Sequence, residues 1–130
     1  MDATEIQSKL NYCEPLMLMD RVSDLKLDEE ITAQKSVSAN EAYFQGHFPH
    51  NPVMPGVLLI ETMVEAAQLM WDEPSLTLTK VKHGRFREMV KPGMQLTVKL
   101  SAQKQYACEA EVLVGEKKAC TAELEFKVAE

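Results

Sequence analysis

The chain has 130 residues, with 14 Lys plus Arg against 20 Asp plus Glu and a formal net charge of −6. Apolar residues make up 45% and charged residues 26%, which fits one globular domain spanning residues 1–130 and excludes a disordered chain. The acidic balance argues against a general nucleic-acid binder, and the longest unbroken apolar run, Val57 to Ile60, is far short of the roughly 20 residues a membrane span needs.

The start, Met1-Asp2-Ala3-Thr4-Glu5, has neither the basic residues nor the apolar stretch of a secretory signal. Cys13, Cys108 and Cys120 are an odd, sparse set without CxxC spacing, so no disulfide framework is expected. Both features make the cytoplasm the expected compartment.

In chain order, residues Met1 to Asn11 read as a polar lead of a helical turn or two, followed by the apolar run Leu16 to Met19. Val22 to Leu27 and Ile31 to Val37 flank Asp28-Glu29-Glu30 and predict a hairpin. Asn40 to Gly56 holds three prolines and two glycines and predicts an ordered loop.

A helix is predicted from Pro55, whose fixed φ suits a first turn, through Val57 to Trp71. Glu61, Glu65, Gln68 and Asp72 fall at i, i+4, i+7 and i+11 and form one narrow polar stripe. The remaining circumference is apolar, which predicts a helix buried within the protein.

The last third alternates with period two. Leu96, Val98 and Leu100 form one strand, Tyr106 to Val114 a second, and Cys120 to Val128 a third after a Gly115-Glu116-Lys117 turn. Cys108 and Cys120 fall on the apolar face and read as packing residues. The whole predicts an α+β domain: an antiparallel β-sheet wrapped around one long buried central helix.

The densest unusual stretch is Phe44-Gln45-Gly46-His47-Phe48-Pro49-His50-Asn51-Pro52-Val53-Met54-Pro55-Gly56. Prolines at every third position stiffen it, which suits holding a side chain in place. Gly56 lets backbone approach a ligand at the helix start, where free N–H groups and the helix dipole stabilise a developing oxyanion. His47 titrates near neutrality, and burial of Glu61 in apolar surroundings would keep it protonated as an acid. Elimination of water from a 3-hydroxyacyl thioester needs these parts: a base for the C2 proton, a donor to the carbonyl and an acid for the leaving hydroxyl.

The run Gly46-His47-Phe48-Pro49, Pro52-Val53-Met54-Pro55-Gly56-Val57-Leu58 and Glu61-Thr62-Met63, with 14 residues from His47 to Glu61, resembles the hot-dog-fold (3R)-hydroxyacyl-[acyl-carrier-protein] dehydratases of type II fatty acid synthesis. Pro15 to Val22, Val37 to Glu41, Arg85-Phe86 and Val90-Lys91-Pro92-Gly93 extend the likeness over nearly the whole chain. The resemblance implies a hot-dog fold. His47 would be the base, Glu61 the acid contributed by the other subunit, and Gly56 the N–H donor to the thioester carbonyl. It also implies an acyl carrier protein as partner, a homodimer or hexamer, and neither metal nor organic cofactor.

Glu65 is expected beside the site or at the surface, and Phe48, Met54 and Pro55 around the site or its acyl tunnel. The chain departs from the family pattern at His50, where Gly is usual, and at Glu65, where Gln is usual. These departures leave open a dehydratase of a polyketide or polyene pathway, or an idle acyl-thioester-binding subunit. His47 and His50 with Glu61 are a weak metal pattern without a third defined ligand, and no metal is expected. Lys80, Lys82, Arg85, Arg87 and Lys91 form a basic run in an acidic chain. It reads either as a solvated strand face or as a docking patch for an acidic carrier.

Overall fold

In the computed structural model, residues 20–36, 56–87, 90–91 and 93–128 are described, with helix side chains from Leu59 onward. The lead, the Leu16 to Met19 run and the Asn40 to Pro55 loop lie outside them. Six strands form one antiparallel sheet: β1 (Arg21–Lys26), β2 (Glu30–Ser36), β3 (Leu76–Phe86), β4 (Gln95–Lys104), β5 (Ala107–Val114) and β6 (Lys117–Val128). The helix α1 (Gly56–Met70) falls between β2 and β3 in the chain. The strand order is β1-β2-β4-β5-β6-β3, so β3 closes one edge.

Alternation in the sequence decides which face each strand buries. Ile31 and Ala33 of β2, Leu96, Val98 and Leu100 of β4, Cys108, Ala110 and Val112 of β5, and Cys120, Ala122 and Leu124 of β6 are buried on one side. Their neighbours in sequence, including Thr97, Lys99, Glu109, Glu111, Glu123 and Glu125, point to the other. Register places Val98 opposite Ala33 and Val112, and Cys108 opposite Leu124, so the apolar positions stack across strands.

The helix lies on this face, against β2, β3, β4 and β5. Every residue from Thr62 to Met70 is buried. An α-helix apolar around most of its circumference has no solvent face to offer, and the sheet curves to enclose it. Its C-terminus is a Schellman cap in which Glu73 N–H donates to Gln68 O (2.9 Å) and Asp72 N–H to Leu69 O (3.2 Å). Asp72 takes the left-handed position, φ 49°, usually held by Gly. The Asp28 N–H of the β1–β2 turn donates to Met70 O (2.8 Å), tying hairpin to helix end.

Trp71 closes the core just past this cap. Its ring packs edge-on to Tyr106 (centroids 5.7 Å) and Phe126 (6.0 Å). Tyr106 sits at φ 60° in the β4–β5 turn, a conformation that costs energy for a bulky residue. The Trp71 contact and the Phe126 N–H to Tyr106 O bond (2.8 Å) hold it there.

The expected hairpin, helix and three C-terminal strands are all present, each within a few residues of its expected ends. The strand that carries Lys80, Lys82 and Arg85 is the 11-residue β3, which ends at Phe86, before Arg87 and Lys91. Two irregularities, between Leu78 and Lys80 and between Lys82 and Arg85, break its period of two. His83 lies in the second, at φ 53°.

Replacing Trp71 with Ala removes the aromatic plug and leaves a cavity, so unfolding free energy should fall by about 3–5 kcal/mol. Chemical denaturation of the W71A variant beside wild type measures the loss. Trp71→Phe should retain most of the stability.

Candidate active site

Of the residues singled out in the sequence, His47, Phe48, Met54 and Pro55 lie outside the described residues. Gly56 is the first residue of α1, so its N–H is among those with no intrahelical acceptor. The first turn carries no acidic side chain. The positive end of the helix dipole is therefore not offset from within that turn.

Glu61 departs from expectation. It was expected in apolar surroundings, yet it is exposed in this chain. It lies on the polar stripe near the helix start, on a side the sheet does not cover. Glu65, expected beside the site or at the surface, is fully buried at 0% exposure, which rules out the surface. The stripe thus emerges at both ends, Glu61 and Asp72, and is enclosed in the middle, Glu65 and Gln68. Gln68 satisfies its burial by donating from Nε2 to Leu76 O (3.0 Å), and Thr62 by donating from Oγ1 to Leu59 O (2.6 Å).

Lys35 was overlooked in the sequence. It follows Ile31 and Ala33 at the same period of two, takes the third inward position of β2 and is 4% exposed. The signal was available: a Lys on the apolar side of an alternating strand is rarely buried without a partner. It stands one residue from the end of β2, where the chain leaves for the His47 loop.

The basic run is divided by the strand geometry. Lys82 pairs with Glu125 (3.4 Å), and Lys80 stands across from the same residue. Arg85 and Arg87 instead line an open depression of about 410 Å³ on the outer sheet face, together with His83, Lys99, Lys118, Glu109, Glu111 and Glu123. Lys99 and Lys118 are far from β3 in sequence. Register brings them in, since Glu111 lies opposite both Lys99 and Thr121, and Thr121 opposite Arg85. Lys118 pairs with Glu111 (3.3 Å) and His83 with Glu123 (3.5 Å). Lys91 is exposed beyond the strand and does not line the depression.

Along β3, burial falls away from one end to the other. Leu76 is 3% exposed, whereas Val81 is 44% and Phe86 is 56% exposed. Val81 and Phe86 stand opposite the buried Leu124 and Cys120, so they belong to the apolar side of the sheet, past the cover of α1. The outer edge of β3 pairs with no strand among the described residues.

No group of three or more His, Cys, Asp or Glu among the described residues is arranged to hold a metal ion. No described helix is long and apolar enough to cross a membrane. Burial pushes the Cys108 thiol up to about 12 and the Cys120 thiol up to about 11, so both remain protonated and unreactive near neutrality.

Comparison with known proteins places this geometry among relatives. A FabA-like domain model matches residues 12–123. The 3-hydroxyacyl-[acyl-carrier-protein] dehydratase FabZ of Levilactobacillus brevis is 40% identical over 141 residues, covering 99% of this chain and 94% of that protein. FabZ of Nitrosospira multiformis is 41% identical over 127 residues, covering 86% and 87%. Among solved structures, the dehydratase heterocomplex ApeI:P from Xenorhabdus doucetiae superposes with TM-score 0.70 at 21% identity, covering 79% of this chain and 91% of that one. A hypothetical thioesterase from Streptococcus pneumoniae, solved with coenzyme A, gives TM-score 0.63 at 15% identity, covering 84% of each chain. These two likenesses show the fold, a hot-dog.

With both thiols protonated and shielded, iodoacetamide at pH 8 should leave Cys108 and Cys120 unmodified in the folded protein and alkylate them once denaturant is added. Peptide mapping by mass spectrometry reads each site separately.

Proposed function

The chain belongs to the FabA-like family, and from that premise we propose that it is a cytoplasmic (3R)-3-hydroxyacyl-[acyl-carrier-protein] dehydratase of fatty acid biosynthesis. The observation that carries this reading is full-length likeness to FabZ dehydratases, in a chain whose His47, Gly56 and Glu61 stand at a spacing that resembles that family's motif. His47 takes the proton from C2 of the thioester. The Gly56 N–H donates to the thioester carbonyl as negative charge develops on its oxygen. Glu61 gives its proton to the C3 hydroxyl, the C3–O bond breaks, and water leaves a trans-2-enoyl thioester. None of these steps calls on a metal or organic cofactor.

The working unit is a homodimer, with Glu61 serving the His47 of the partner subunit, and assembly to a hexamer is not needed for this chemistry. Two features support the pairing. Glu61 is exposed in the single chain, whereas an acid working on a desolvated acyl thioester needs cover. Val81 and Phe86 lie bare on the apolar side of an edge strand, which a second copy would shield. Phe48, Met54 and Pro55 line the approach to the reacting carbons.

The acidic acyl carrier protein docks on cations of the basic run. Arg85 and Arg87, which have no acidic partner within ion-pair reach among the described residues, are the foremost of these. Lys80, Lys82 and Lys91 add long-range attraction.

Turnover of 3-hydroxyacyl-carrier protein, followed by mass spectrometry, should show loss of one water. His47→Ala and Glu61→Gln should each lower kcat by about 100-fold or more. Mixing and reassembling the two inactive variants should restore about a quarter of wild-type activity, because a mixed dimer rebuilds one intact site of two. Acyl binding without turnover in wild type would favour an idle binding subunit instead.

Charge reversal at Arg85 and Arg87 should raise KM for the carrier-borne substrate several-fold and flatten its dependence on salt, with kcat little changed. Steady-state kinetics across a salt series measures both.

A further inference from the structure

The outward cations of β3 differ in what faces them across the sheet. Lys80 stands opposite Glu125 and Lys82 opposite Glu123, whereas Arg85 stands opposite Thr121. Arg87 continues the ladder past the end of β3, its N–H donating to Ala119 O (2.8 Å). The cross-strand neighbours of the two arginines are thus uncharged. We propose that Arg85 and Arg87 form a clamp for a small molecule bearing one or two phosphate groups, and that such a molecule competes with the carrier for these residues. The competition rests on the dehydratase reading; the clamp does not.

A backbone irregularity aims the pair. Between Lys82 and Arg85, β3 advances three residues while β6 advances two, from Glu123 to Thr121. In an unbroken strand, Gly84 and Phe86 would follow Lys82 on the outer face, and Arg85 and Arg87 would turn to the apolar side. The extra residue reverses this. It does so at the cost of a φ of 53° at His83, a conformation that residues with a side chain seldom adopt.

Arg85 and Arg87 then share the outer face, exposed and about 6–7 Å apart along the chain. Each guanidinium offers a planar fork of N–H donors that matches two phosphate oxygens, which an ammonium cannot do. Both border the depression on that face, and with Lys99 they make no ion pair among the described residues. The three carboxylates of the depression are engaged elsewhere. Glu109 accepts from Gln103 Nε2 (3.1 Å), Glu111 pairs with Lys118 (3.3 Å), and Glu123 lies 3.5 Å from His83 Nε2. They leave the arginines free to bind an anion but repel a long polyanion laid across the sheet, so the site favours a small phosphorylated molecule. An acidic carrier needs the same two arginines, which sets the two ligands in competition.

Calorimetric titration of the whole protein with inorganic pyrophosphate, at constant ionic strength, should show saturable binding. R85Q/R87Q should weaken it by about tenfold or more. R85K/R87K keeps the charge but loses the forks, and should weaken it several-fold. K80Q/K82Q removes the same charge from the same strand and should leave binding within about twofold of wild type. Absence of binding to wild type, equal weakening by R85Q/R87Q and K80Q/K82Q, or undiminished binding by R85K/R87K would overturn the clamp. In steady-state kinetics, pyrophosphate should raise KM for the carrier-borne substrate and leave kcat unchanged. Binding that leaves KM unchanged would overturn the competition. If wild type binds pyrophosphate through these arginines but turns over no hydroxyacyl chain, the clamp stands and the dehydratase reading falls.

Discussion

The fold depends on a helix that, from Thr62 onward, has nowhere to face water. From Thr62 to Met70 no residue of α1 is exposed, so its stability comes from being enclosed and not from intrinsic propensity. The sheet must curve around it, the strands must alternate strictly to give it an apolar wall, and its end must be sealed. The Schellman cap, the Asp28 bond to Met70 O and the Trp71 plug perform that sealing. With the C-terminal end closed in this way, the helix start, at Gly56, is the end left open among the described residues.

Enclosure also explains the polar residues. A buried carboxyl, amide or ammonium is tolerated only where its polar atoms find partners, and the Gln68 amide donates to Leu76 O. Lys35 and Glu65 are the expensive members of the interior, a cation and a carboxyl each almost wholly removed from water. Groups of this kind are seldom retained for stability, since apolar residues of similar size would fill the space at lower cost. Glu65 lies on the helix that carries Glu61, and Lys35 on a strand packed against that helix.

Much of the fold was legible because period two and period 3.6 leave strong marks. Val98 and Val112 announce their face by alternation, and the helix by its uninterrupted run from Val57 to Trp71. The extent of β3 was harder to read because the irregularities around Thr79 and His83 shift its period and scatter Val81 and Phe86 out of step. Asp72 stands where a Gly would have marked the cap. The candidate site was read as a motif, since His47, Gly56 and Glu61 are close in sequence, and of these the described residues include Gly56 and Glu61. Lys99 and Lys118 were not, because only strand register places them near Arg85. The burial of Glu65 was hidden for another reason: a helical stripe shows which residues share a side, but not where along the helix that side is covered.

Glu61 and Phe86 carry one physical argument between them. The first is a carboxyl whose chemistry calls for shelter, and the second is an aromatic ring that water does not favour; the single chain leaves both exposed. Charges along β3 and its two irregularities protect the open edge from indiscriminate strand addition. They do not cover Val81 and Phe86 on its apolar side. A surface that discourages general aggregation while keeping apolar residues bare is suited to one specific partner, and a second copy of the chain brings the same edge with the same irregularities. Two such edges related by a two-fold axis would meet in matching register, which a random partner would not offer.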